Sequence, residues 1–360
     1  MKEWYEIDNI SEIDTPQLVL FVDRVKHNIA EAIKITGDVN RLRPHVKTNK
    51  TAEVVRMMID AGVRKFKCAT IEEAEMLARE KAEDVLLAYQ PVGPKIGRLA
   101  ALITKYPSTR FSCLTDHAVA AGEIASYFSG IEKFVEVFID LNVGMNRTGI
   151  AVEKAKELAE TCRQLPGIKF RGLHAYDGHI RNPDFAIRKK ICDENFRRVE
   201  ELATRLSTGD VKPLIIAGGS PTFPVHAQRK DVECSPGTFV FWDKGYSDIC
   251  AEQPFLPAAI VVSRVISLPE EGKICIDMGH KSIAAENDIS HRAWFINEPE
   301  AKLLSQSEEH GLVDPVRRHL PGDVMYIMPY HICPTVNLYE KMVTVKGNKA
   351  SGVWRVAARH

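Results

Sequence analysis

From residue 18 to about residue 245 the chain alternates short apolar runs with longer segments whose apolar positions recur at i, i+3 and i+4. The runs read LVLFV, RLRPHV, KFKCAT, DVLLAY, RFSCLT, FVEVFIDL, FRGLHAY, PLIIAGG and DVECSPG. Between them lie AEVVRMMIDAG, IEEAEMLARE, IGRLAALITKYP and DFAIRKKICDENFRRVEELATRL. Strand-like runs alternating with helical ones predict βα units around a parallel sheet. Nine runs are one too many for a (β/α)8 barrel. LVLFV is assigned to another sheet, which makes RLRPHV the first barrel strand. After residue 245 the rhythm changes. AAIVVSRVISL, KICIDMG, RAWFIN, DVMYIMPYH, KMVTVKG and ASGVWRVAAR are strand-like, almost no helical periodicity separates them, and KGNK marks a hairpin turn. The predicted fold is α/β, a (β/α)8 TIM-type barrel over residues 23–245. A β-rich domain over residues 246–360 follows, completed by residues 1–22.

Composition narrows the function. Lysine plus arginine equals aspartate plus glutamate, 48 each, so the formal net charge is zero and no broad basic field points to nucleic acid or an acidic membrane. No segment reaches the roughly 20 uncharged apolar residues that span a bilayer. The first residues, MKEWYEIDNI, carry acids and lack the apolar core of a signal peptide. The eight cysteines are scattered, with no CxxC pair. The expectation is a reduced, cytoplasmic protein.

Lys47 closes the first barrel strand in RLRPHVKTNK, at the end where such barrels place reacting groups. Arg43, His45 and Lys50 are close in sequence, and nearby cations lower a lysine towards the free amine that a Schiff base needs. A lysine snorkelling at a strand end would look the same. AGGSPT follows the seventh barrel strand and brings Gly218, Gly219, Ser220 and Thr222. SPGTF follows the eighth with Ser235 and Gly237. Glycines and hydroxyls at those two strands suit a phosphate. Neither stretch is a dinucleotide or Walker loop, so a nucleotide is not indicated. MNRTG puts Arg147 after strand five, where it could bond a cofactor phenolate or a substrate carboxylate. GLHAYDGHIR ends strand six with His174, Tyr176 and His179, and strand alternation gives His174 and Tyr176 one face. In PYHICPTVN, His331 and Cys333 stand two apart. On an extended strand they would share a side, as two ligands of one metal would, and imidazole with thiolate favours zinc.

IDTPQLVLFVD, RPHVKTNK, MNRTG, GLHAYDGHIR, GGSPTF, SPGTFVFWD, DMGHKS, SEEHG and PYHICPTVN occur in the order seen in D-threonine aldolases and the related D-serine dehydratases. The resemblance spans nearly the whole chain. It implies an alanine racemase-like, fold type III architecture, with pyridoxal 5'-phosphate (PLP) joined to Lys47 as a Schiff base. By the same match, Arg147 contacts the cofactor ring oxygen and Tyr176 lines the PLP site. Gly218, Gly219, Ser220 and Thr222 hold the phosphate, and His331 and Cys333 bind a divalent metal. Aldolases of this group often carry aspartate at the position of Cys333 and prefer manganese, whereas the dehydratases carry cysteine and use zinc.

The expected activity is a PLP- and metal-dependent retro-aldol cleavage of D-β-hydroxy-α-amino acids, D-threonine giving glycine and acetaldehyde. Metal-bound hydroxide or a histidine such as His179 would take the hydroxyl proton. A D-serine dehydratase, yielding pyruvate and ammonia, is the alternative. A non-catalytic PLP carrier would resemble the barrel alone, and a racemase needs no His331/Cys333 pair. The resemblance also implies a homodimer with a small-molecule D-amino acid as its only other partner.

Overall fold

The computed structural model describes residues 2–359. By its contacts the chain forms two compact units, one of residues 32–47 and 55–237, the other of residues 2–31, 48–54 and 238–359. Each is the kind of element the sequence pattern predicts: a parallel barrel, and a mostly antiparallel sheet.

In the barrel unit seven parallel strands follow one another: Lys65–Cys68, Asp84–Leu87, Arg110–Thr115, Val135–Asn142, Ile168–Ala175, Leu214–Ala217 and Val232–Cys234. Residues 42–46 supply the eighth position as an irregular segment. Leu42 bridges Cys234 and His45 bridges Lys67, so this segment joins the first and last strands. Its backbone bonds run from Arg43 N to Cys234 O (2.8 Å), from His45 N to Pro236 O (2.9 Å) and from Val46 N to Lys67 O (2.9 Å). Pro44 has no N–H to give, which is why the segment does not form a full ladder.

Helices between the strands start where the sequence caps them. Thr70 Oγ1 accepts from Glu73 N at 3.1 Å while the Glu73 carboxylate accepts from Ala69 N at 2.6 Å, a near relative of the capping box, and helix Ile71–Arg79 follows. Asp184 Oδ1 accepts from Ala186 N and Ile187 N ahead of the long helix Phe185–Leu206.

The lumen is layered by side-chain chemistry. At the floor, Arg43 bonds Asp84 and Glu233, each at 2.7 Å. Arg171 reaches Asp84 and Glu136, and Lys65 reaches Glu233. Above them Leu86, Leu114, Phe138 and Ile216 form an apolar plug. At the C-terminal ends of the strands the lumen is polar again, with Lys67, Asp140 and His174 all buried. Strand KFKC shows the logic: Lys65 and Lys67 face in, while Phe66 and Cys68 are buried on the other face.

The other unit is built on a sheet ordered Lys302–Gln306, Gly311–Asp314, Ile274–Ile276, Ala259–Ser267, Gln17–Phe21, Lys341–Lys346 and Lys349–Arg355. Gln17–Phe21, the LVLFV run, pairs antiparallel with Ala259–Ser267 and parallel with Lys341–Lys346. Strand Val324–Pro329 joins through Ala259–Ser267, and Ala293–Phe295 through Val324–Pro329. Ile7, Ile13, Val19, Phe21, Ile260 and Val262 begin its core. The KGNK hairpin has both central residues at positive φ (Gly347 +52°, Asn348 +62°), as a type I′ turn requires. The hairpin of Lys302–Gln306 and Gly311–Asp314 lies in a stretch whose charges hide its alternation in the sequence. Among the described residues no helix is long and apolar enough to cross a membrane.

Candidate active site

In the barrel unit three cations converge on one ring. Lys47 Nζ lies 5.8 Å from the Tyr176 ring centroid, Lys67 Nζ 5.7 Å, and the Arg147 guanidinium carbon 5.3 Å. Lys47 sits in the turn after the closing segment, half-buried, and its backbone N–H donates to His45 Nδ1 at 3.2 Å. Arg147 is carried by a loop that Asn142 shapes, its side-chain oxygen accepting from Gly144 N and Asn146 N. The cations expected to crowd Lys47 have other partners. Arg43 is fully buried in its ion pairs with Asp84 and Glu233, and Lys50 Nζ donates to Ala358 O at 2.8 Å. The cation that stands with Lys47 is Lys67, which the sequence reading missed.

Lys67 belongs to a buried chain. Its Nζ lies 3.4 Å from His174 Nε2, and His174 Nδ1 bonds Asp140 Oδ1 at 2.7 Å. Burial pushes His174 below the ordinary histidine value, with Lys67 and Arg147 adding to the effect against the pull of Asp140. A neutral imidazole with its proton on Nδ1 therefore accepts from Lys67. Burial would raise Asp140, but His174, Thr148 and Lys67 outweigh it and keep the carboxylate ionised. Lys67 is lowered to about 7, first by burial, then by the charges of Lys47 and Arg43.

Beside Tyr176 runs the glycine loop. A Cβ on Gly219 would come within 2.9 Å of the Tyr176 ring, and one on Gly218, whose φ is +85°, within 2.8 Å of the His226 ring. Thr222 Oγ1 accepts from Gly219 N (3.3 Å) and donates to Asp177 Oδ1 (2.6 Å). His226 Nε2 donates to Asp177 Oδ2 (2.7 Å), and Arg229 Nη1 donates to His226 Nδ1 (3.1 Å). Burial would raise Asp177, but His226 and Thr222 outweigh it and hold it below the usual carboxylate range. Asp177, Cys192 and His226 thus bring three ligand-type atoms within 4.8 Å of one another. The 2.7 Å contact, however, is shorter than the edge of about 3.3 Å that bonds of about 2.0 Å give a tetrahedral zinc site. Burial also pushes the Cys192 thiol far up, and Arg229 sits on the remaining imidazole nitrogen. This is a hydrogen-bonded brace for the loop. Ser220 is buried, Ser235 Oγ donates to Arg43 O at 3.0 Å, and Gly237 is buried after strand Val232–Cys234. His179 packs on the Arg147 loop, where a Cβ on Gly144 would lie 2.6 Å from its Nε2, and its Nδ1 is buried without a hydrogen-bond partner.

In the β-rich unit the expected extended placement of His331 and Cys333 is corrected. The strand ends at Pro329, His331 is an N-cap, and Ile332–Leu338 is a helix with Pro334 in its first turn. Asp243 Oδ2 accepts from Ile332 N at 3.1 Å and fixes that start. The helix still brings the two side chains into hydrogen-bonding contact. Glu286 Oε1 bonds His331 Nδ1 at 2.5 Å, and Cys333 Sγ lies 3.1 Å from Thr48 Oγ1. Burial lowers His331, but Cys333, Asp243 and Glu286 outweigh it and raise it to about 9. A histidine whose Nδ1 is held by a carboxylate offers Nε2 to a metal, and the acids here favour a cation. The donor set fits a divalent metal.

Residues 21–244 match the family described as "Alanine racemase, N-terminal domain", and residues 258–345 the one described as "Putative serine dehydratase domain". The chain is 28% identical over 366 residues to the D-threonine aldolase of Arthrobacter sp, covering 98% of this chain and 94% of that protein. It is 27% identical over 367 residues to the 3-hydroxy-D-aspartate aldolase of Paracoccus denitrificans (strain Pd 1222), covering 97% and 93%. The crystal structure of D-threonine aldolase from Filomicrobium marinum superposes with a TM-score of 0.89 at 24% identity, covering 97% and 96% of the two chains.

Proposed function

The chain belongs to the alanine racemase N-terminal domain family, and on that premise we propose that it is a PLP- and divalent-metal-dependent lyase. Its architecture is alanine racemase-like, the fold type III of PLP enzymes. The reaction we propose is retro-aldol cleavage of D-β-hydroxy-α-amino acids, D-threonine giving glycine and acetaldehyde. The observation that carries this reading is the convergence of Lys47 and Arg147 on Tyr176, beside a glycine loop with no room for side chains.

The fit to PLP rests on that cradle. Lys47 would make the covalent link, Arg147 would face the ring oxygen and Tyr176 would pack on the ring. The backbone of Gly218 and Gly219, the hydroxyls of Ser220 and Thr222, and Ser235 with Gly237 would hold the phosphate. When bound, PLP supplies a sink for the electron pair released as Cα–Cβ breaks. His331 and Cys333 would hold the metal, whose Lewis acidity lowers the pKa of a hydroxyl. His179, with one ring nitrogen buried and unpartnered, would take the hydroxyl proton on the other. The Asp177–His226 brace fixes Thr222, and through it the backbone N–H of Gly219.

A second reading, D-serine dehydratase, is favoured by one residue: Cys333, the softer zinc ligand, stands where many aldolases of this kind carry aspartate. The test is product analysis after incubating the PLP- and metal-replete protein with D-threonine and with D-serine. Glycine with acetaldehyde supports the aldolase, pyruvate with ammonia the dehydratase, and formation of neither product pair overturns both readings. Borohydride reduction followed by peptide mapping should place the cofactor on Lys47.

A further inference from the structure

A lysine that is 2% exposed, inside a barrel, needs a reason to be there. Lys67 is not spent on an ion pair. Its Nζ reaches His174 Nε2, His174 reaches Asp140, and the amine faces the same Tyr176 ring as Lys47 and Arg147. The chain Asp140–His174–Lys67 has the logic of a relay: a carboxylate fixes the imidazole tautomer, and the imidazole orients the terminal amine. We propose that Lys67 is a second catalytic lysine, the acid that delivers a proton to the substrate's α-carbon.

This rests on the lyase reading and completes its proton balance. Cleavage would take the hydroxyl proton to the base and leave the Cα–Cβ electron pair for Cα to share with a new hydrogen. That pair becomes a Cα–H bond using the proton of the Lys67 ammonium, which leaves a neutral amine. The proton released from the hydroxyl restores the ammonium, so no other reactant is needed. Lys67 suits this because its environment nearly balances the two forms. Burial, Lys47 and Arg43 favour the amine, Asp140 and Asp177 favour the ammonium, and neutral His174 accepts a hydrogen bond from either. Proton transfer is most efficient from a group poised near the working pH.

The experiment follows exchange of the glycine α-hydrogens in D2O by proton NMR, a partial reaction in which the same group takes and returns the α-proton and no Cα–Cβ bond is broken. The PLP-loaded wild type, Lys67→Met and Lys67→Arg are compared, with bound PLP counted by its visible absorbance. Both variants should keep PLP and lose exchange by about 100-fold or more. Arginine keeps a positive charge but does not release a proton near neutrality, so wild-type exchange in Lys67→Arg reduces Lys67 to a charge and overturns the proposal. Wild-type exchange in Lys67→Met does the same. No exchange even in the wild type overturns the aldolase reading on which the proposal rests, and the proposal with it. A second measurement needs neither PLP nor activity. The 13Cε signal of Lys67 in the PLP-free protein, identified by its loss in Lys67→Met, should titrate near neutrality and move in Asp140→Asn. Titration at the ordinary lysine value overturns the proposal.

Discussion

Gly219 and Tyr176 are in such close register that one added methyl group would collide: a Cβ on Gly219 would lie 2.9 Å from Cε2 of the tyrosine ring. The loop's backbone therefore runs against the ring on which Lys47 and Arg147 also converge. Gly219→Ala should weaken PLP retention by about tenfold or more, a loss of about 1.4 kcal/mol. Gly219→Asp should weaken it further by setting a carboxylate against a phosphate. Equilibrium dialysis with absorbance readout checks both; unchanged affinity in folded variants would remove the loop from the phosphate site.

The barrel was legible because its strands are buried on both faces and read as apolar runs, and Lys47 stood out as a candidate because it follows such a run, three residues after Pro44. Lys67 was hidden by the same rule. In KFKC its polar face points into the lumen, a burial that no two-residue alternation distinguishes from a solvated edge. Asp177 and His226 are separated by 49 residues, so their contact exists only in the fold. His331 and Cys333 were legible as a pair of donors but not in their geometry. Pro334 could have signalled a helix start, because proline suits a helix's first turn.

The brace beneath the glycine loop should act on cofactor affinity. Asp177→Asn cannot accept from both Thr222 and His226 as the carboxylate does, so Gly219 loses its fixed partner. PLP affinity should fall by about tenfold, with activity recovered at saturating PLP. Metal content, read by elemental analysis, should be unchanged; a matching loss of metal would make the Asp177 cluster a metal site after all.

The ionic floor is a stability liability if broken. Arg43→Met leaves Asp84 and Glu233 with only Arg171 and Lys65. A cost on the order of 3 kcal/mol is expected in urea unfolding, because each buried carboxylate loses its buried partner and is left only partly compensated. A change below about 0.5 kcal/mol would mean that the floor is open to water.

Burial of Lys67 predicts a pH effect on the PLP-free protein. Its folded pKa of about 7 lies below the ordinary 10.5, so between these values the unfolded chain holds more protons and stability rises with pH. Below about pH 7 the ammonium is buried at full cost; above about pH 10.5 that cost is gone. The stability gain of Lys67→Met over the wild type should therefore be larger at about pH 7 than at about pH 9.5, by up to about 1.4 kcal/mol for each pH unit. A gain independent of pH would show that Lys67 titrates alike folded and unfolded.

The two donors of the β-rich unit test the metal on which the aldolase and the dehydratase readings both depend. PLP would be held by barrel residues and the metal by His331 and Cys333, so a chelator should abolish cleavage while leaving the visible absorbance of bound PLP largely intact. Cys333→Asp replaces a soft sulfur with a hard oxygen and should shift preference from zinc towards manganese. Cys333→Ala should lose metal affinity, and His331→Ala at least as much, since the imidazole held by Glu286 at Nδ1 offers its other nitrogen. Glu286→Gln keeps the shape but weakens that hold, and should cost about 10-fold in metal affinity without touching PLP. A cysteine that only fills space beside Thr48 behaves otherwise: Cys333→Ala would lose a little stability and keep its metal dependence. Chelator-resistant cleavage in Cys333→Ala would remove the metal from both readings, because neither leaves another Lewis acid for the β-hydroxyl.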